Sequence, residues 1–85
     1  MRMKKETAGI GTNKGNGIQG QYSNRLKVGY NGYEFVLDFA QYHIGEKKED
    51  YHTRIITTPA YAKSLLDVLQ KSIDQYEKSY GSIGQ

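Results

Sequence analysis

NRLKVGYNGYEFVLDF, residues 24–39, places two short apolar-alternating segments on either side of Asn31 and Gly32. Asn-Gly favours a two-residue type I′ turn, because both residues tolerate positive φ and the twist of that turn matches the strands it joins. The stretch therefore predicts a β-hairpin, and the turn predicts its register. Counted outward, Tyr30 faces Tyr33, Val28 faces Phe35 and Leu26 faces Leu37, which gathers the bulky side chains on one face. The other face pairs Lys27 with Val36 and Arg25 with Asp38. A slip of one residue would turn the apolar set to water, so the alternation itself selects this choice of faces.

Downstream, the second segment continues through Ala40 and Gln41, and residues 43–50 read as a polar loop around Gly45. Residues 51–58 are rich in Thr and Ile and predict a third strand, with either Ile55 or Ile56 turned inward. The simplest topology is a three-stranded antiparallel meander, which brings Arg54 near Asp38 and Arg25 as a small charged patch. Thr58 and Pro59 then open a helix, Thr58 as N-cap and Pro59 where its missing N–H is no loss, and Gly81 closes it. Ala62, Leu66, Leu69, Ile73, Tyr76 and Tyr80 form a heptad-like seam, widened in its first half by Leu65 and Val68. The fold class is α+β, a β-β-β-α unit with one long C-terminal helix packed on one face of the meander. Residues 23–85 form this single domain, and residues 1–22 a flexible, basic, Gly-rich tail.

The lengths of the helix and strands point to self-association. A helix over residues 59–80 runs about 33 Å, whereas a strand of about seven residues spans only about 23 Å. The last turns should overhang the sheet, and Leu69, Ile73, Tyr76 and Tyr80 then need cover. A second copy supplies it, making a homodimer or higher homo-oligomer, and the two open sheet edges point the same way. The other source of cover is the Gly-rich segment or Tyr22 folding back.

Composition narrows the function classes. With 85 residues and no cysteine, the chain holds one modest core without disulfides or thiolate metal sites, in keeping with a reducing cytoplasmic setting. Apolar runs are too short for a membrane span or a secretory signal. The net charge of +3 resides in residues 1–22, where Arg2, Lys4, Lys5 and Lys14 outnumber Glu6, and this marks a possible polyanion-binding segment. Gly15, Gly17 and Gly20 match the glycine spacing of a dinucleotide-binding loop, but no strand precedes them and no helix follows, so the match fails on context.

Chemistry-bearing residues are few. His43 and His52 flank the predicted loop without an evident third ligand other than Glu49 or Asp50, so no metal site is assigned. Asp38 lies between apolar neighbours on the polar face, where Arg25 or Arg54 accounts for it as an ion-pair partner. No catalytic residue and no cofactor follow from the sequence. The eight tyrosines suit interfaces, since each combines area with a polar tip. With the basic tail, Tyr22, Tyr42, Tyr51 and Tyr61 would also suit single-stranded nucleic acid, although no basic-aromatic interleaving runs along any strand.

Several short motifs recur in order: Tyr22-Ser23-Asn24, residues 34–39, His52-Thr53-Arg54-Ile55, Pro59 with Ala62, Lys63 and Leu66, and Tyr76-Glu77 before Tyr80-Gly81. As a set they resemble a small bacterial family known as domain of unknown function 3467, over about residues 20–83. The segment after Phe39 departs from the family pattern, with Gln41-Tyr42-His43-Ile44-Gly45 in place of a proline-containing loop. The resemblance implies a compact strand-strand-strand-helix unit and no reaction, cofactor or catalytic residue. The expected function is a non-enzymatic homo-oligomeric binding or adaptor protein. The alternative is a nucleic-acid-associated accessory protein using the basic tail.

Overall fold

In the computed structural model, residues 17–84 are described. Three strands, β1 (Arg25–Tyr30), β2 (Phe35–His43) and β3 (Lys48–Thr57), precede one helix, α1 (Pro59–Tyr80). The strands form a single antiparallel sheet in the order β1-β2-β3, the expected meander.

The hairpin turn lies one residue later than Asn31-Gly32 would place it. Asn31 pairs across the turn with Glu34, its N–H donating to the Glu34 carbonyl at 3.0 Å. Its side-chain Oδ1 accepts from the backbone N–H groups of Tyr33 and Glu34 at 2.7 and 2.9 Å. Asn31 thus closes the turn as an acceptor, with Gly32 and Tyr33 at the apex. Positive φ among the described residues occurs at Gly17, Lys47 and Gly81, so the mirror-image turn is not formed. Every cross-strand partner moves by two: Tyr30 faces Phe35, Val28 faces Leu37, Leu26 faces Phe39, Lys27 faces Asp38 and Arg25 faces Ala40. Because two is the period of a strand, the faces survive the shift. Tyr30 and Phe35 stack on the apolar face at 5.5 Å between ring centroids.

The second connection is tighter than a loop over 43–50. Tyr42 and His43 pair with Glu49 and Lys48, which leaves residues 44–47 as the turn, with Lys47 at φ 50°. Between Phe39 and Ala40 the β2–β3 register slips: Phe39 faces Thr53, Ala40 faces Tyr51, and His52 is the extra residue of a β-bulge. Ile55 pairs with Leu37 on the apolar face and Ile56 with Val36 on the other, which resolves the ambiguity of strand three.

α1 matches its sequence signals. Thr58 Oγ1 accepts from the Tyr61 N–H at 3.0 Å, Pro59 opens the helix, and Gly81 at φ 97° donates to the Glu77 carbonyl. Glu77 also accepts from the Ile83 N–H through its carboxylate. The packing of the helix differs from expectation: no α1 residue is buried, so the helix does not cover a face of its own sheet. The reason lies in the connection. Thr58, extended at φ −84° and ψ 158°, is the one residue between Thr57 and Pro59, whereas a helix that folds back on its preceding strand usually needs about 2–6. The expected difference in length between helix and strand is also not found, since ten-residue β3 spans about 33 Å, as α1 does. The buried apolar residues among those described are Leu37 and Ala40, both on the central strand.

Asn31→Asp should keep both turn hydrogen bonds and leave stability nearly unchanged. Asn31→Gly, which a two-residue mirror turn would tolerate, should cost about 1 kcal/mol or more, read as a lower urea midpoint.

Candidate functional site

Strand alternation and the bulge together decide which side chains share the more polar face of the sheet. Register puts Arg25 and Lys27 of β1, Asp38, Ala40 and Tyr42 of β2, and Glu49, Tyr51 and Arg54 of β3 there. Without the slip at His52, Tyr51 and Glu49 would point to the opposite side.

Arg54 grips Asp38 with a two-pronged fork, Nε to Oδ1 at 2.7 Å and a terminal nitrogen to Oδ2 at 2.8 Å. Of the three residues of the predicted charged patch, Asp38 and Arg54 are brought together. Hydrogen bonding from Arg54 holds the Asp38 carboxyl below its usual range; burial opposes this, and the charges of Arg54 and Lys27 reinforce it. Arg54 is in turn held more firmly protonated, chiefly by its hydrogen bonds to Asp38. The Arg54 side chain is 65% exposed, so the pair orients the two groups more than it stabilises the fold.

Arg25 does not join them. The two-residue shift of register carries it past Asp38 to Glu49, at 3.4 Å, and lays its guanidinium over the Tyr42 ring at 4.5 Å. Lys27 sits likewise over Tyr51 at 5.0 Å. Basic and aromatic side chains are thus interleaved across strands, not along them. The sequence singled out Tyr42, Tyr51 and Glu49 without placing them beside Arg25 and Lys27, because Arg25 meets Tyr42 through the two-residue register shift and Lys27 meets Tyr51 through the bulge.

Beside the fork lies a depression of about 340 Å³ lined by Asp38, Tyr51, His52, Thr53 and Arg54. Its polar groups are engaged within the chain. His52 Nε2 lies 2.9 Å from the Tyr22 carbonyl and Nδ1 2.6 Å from Thr53 Oγ1. The carbonyl can only accept, so Nε2 carries a proton. The bulged histidine clips the incoming chain to β3, assisted by Ser23 and Asn24, which both donate to the Ala40 carbonyl. His43 turns instead to Asp50 at 3.0 Å, and no three His, Asp or Glu side chains converge among the described residues.

The predicted interface residues Leu69, Tyr76 and Tyr80 lie exposed on α1, and Ile73 is half-exposed. Tyr76 and Tyr80 touch each other at 4.9 Å between centroids. Arg2, Lys4, Lys5 and Lys14 fall outside the described residues. No helix among the described residues is long and apolar enough to cross a membrane.

Residues 3–85 match the model of a family described as "Protein of unknown function (DUF3467)". The chain belongs to this family. The match extends over the basic, Gly-rich segment as well as the β-β-β-α unit, so the family covers more than the stretch from residue 20 onward. No curated protein and no solved structure matches the chain.

The depressed Asp38 value sets the sign of a pH effect. A carboxyl whose pKa is lowered on folding contributes stability that is present above its unfolded value of about 3.9 and is lost as pH falls through the folded value. The stability difference between the natural chain and Asp38→Asn should therefore be level above about pH 5 and shrink in acid, as followed by urea unfolding across pH.

Proposed function

We propose that this member of the family is a small, non-enzymatic, homo-oligomeric binding or adaptor protein that works in the cytoplasm. The observation that carries this reading is the shortage of core: Leu37 and Ala40 are buried, whereas Leu26, Val28, Tyr30 and Ile55 on the sheet and Leu65, Leu66, Leu69, Tyr76 and Tyr80 on the helix stay exposed. Stable monomers rarely leave apolar surface of this extent uncovered. The non-enzymatic part is supported by Asp38, Arg54 and His52, whose polar groups are already committed to partners inside the chain. The absence of cysteine suits a reducing compartment.

A second reading, a nucleic-acid-associated accessory protein, is favoured by the Arg25–Tyr42 and Lys27–Tyr51 pairs, which combine stacking surfaces with positive charge. The basic residues Arg2, Lys4, Lys5 and Lys14 would add phosphate contacts.

Light scattering of the full chain should give a multiple of 9.7 kDa. Ile73→Glu or Tyr76→Glu should reduce it to one chain mass while circular dichroism retains the sheet. A monomeric natural chain would overturn the homo-oligomeric reading. Leu69→Ala should cost about 2–5 kcal/mol where the oligomer prevails, with an unfolding midpoint that rises with protein concentration. For the second reading, anisotropy of a labelled single-stranded oligonucleotide should show binding that falls steeply with salt and weakens in Lys27→Ala. Binding that ignores both would remove it.

A further inference from the structure

Among the described residues two apolar surfaces stand exposed. One is the sheet face bearing Leu26, Val28, Tyr30 and Ile55 around the half-buried rings of Phe35 and Phe39. The other is the stripe of α1, on which Leu65, Leu66, Leu69, Tyr76 and Tyr80 stand exposed. The 22-residue helix and the ten-residue strand β3 are both about 33 Å long. A helix of that length reaches along all of β3, and its apolar stripe has the face formed by Leu26, Val28, Tyr30, Phe35, Phe39 and Ile55 to lie against. Yet the chain's own helix is barred from the face by the one-residue link at Thr58.

Resting on the homo-oligomeric reading, we infer that two copies exchange helices, the α1 stripe of each lying across the apolar sheet face of the other. The partner is a second copy because this chain carries both halves of the contact. The exchange is reciprocal because one two-fold axis satisfies both surfaces of both chains, whereas a one-way contact leaves a free helix and a bare sheet at its ends and polymerises. Area agrees with this. The nine exposed apolar side chains offer on the order of 100 Å² apiece. That gives roughly 900 Å² per chain, against about 800 Å² per partner in a standard stable interface. The face bearing Arg25, Lys27, Tyr42 and Tyr51 is left outward in this arrangement, free for a binding partner.

With no cysteine in the sequence, engineered thiols report the contact without background. Full-length Val28→Cys is mixed with full-length Leu66→Cys, Leu69→Cys or Ile73→Cys and oxidised. The exchange predicts a mixed disulfide as the main covalent product for at least one helix position. Light scattering of each variant before oxidation monitors assembly. An unmutated 1:1 mixture of ¹³C-labelled and unlabelled chain gives a second measurement, with intermolecular NOEs expected between α1 and β1 or β3 side chains. A dimer in which helix thiols join only to helix thiols, with helix-to-helix NOEs, overturns the exchange and leaves the homo-oligomeric reading standing. A single-chain mass for the natural protein overturns both.

Discussion

Thr58 is the constraint on which the arrangement of this molecule depends. It joins the last strand to the helix by a single extended residue and at the same time caps that helix through its hydroxyl. A strand and a helix joined so closely seldom reverse direction between them, and here the helix leaves the sheet with no α1 residue buried. One small stretch of backbone therefore decides that the buried apolar residues among those described are confined to Leu37 and Ala40 on the central strand. Cap and link are also the same residue, so the connection can be lengthened with the cap kept only by insertion on the β3 side of Thr58.

The sheet is organised around a second local device, the bulge at His52. It changes which β3 side chains face each way, assembling Tyr51 and Glu49 beside Lys27 and Arg25. The extra residue also carries an imidazole that holds the Tyr22 carbonyl, so the segment entering β1 is fixed by the same irregularity that builds the polar face. Placed on the central-to-edge pairing, the bulge costs some ladder hydrogen bonding and re-aims side chains, a usual trade in sheets.

The two faces then divide the work. One is apolar, with Leu26, Val28, Tyr30 and Ile55 exposed among the described residues. The other carries paired charges and cations over tyrosine rings, with Ala40 buried among them. A chain of 85 residues buries a limited share of its surface in any fold, and association extends that share without added length.

Sequence alone determined the elements, their order and the faces of β1 and β2, because each rests on contacts within a few residues; the faces of β3 it left open between Ile55 and Ile56. Alternation set the apolar side of residues 26–39, and Thr58, Pro59 and Gly81 bounded the helix where the structure has it. The hairpin was legible in kind, though its turn was not. Asn31 is equally suited to a mirror turn through its backbone and to closing the turn through its side chain, and the structure shows the second. Only tertiary structure decided the cross-strand partners, the bulge and the uncovered helix. Of the charged patch, Asp38 with Arg54 was readable from spacing, whereas the destination of Arg25 depended on a two-residue difference in register that no pattern of period two can detect.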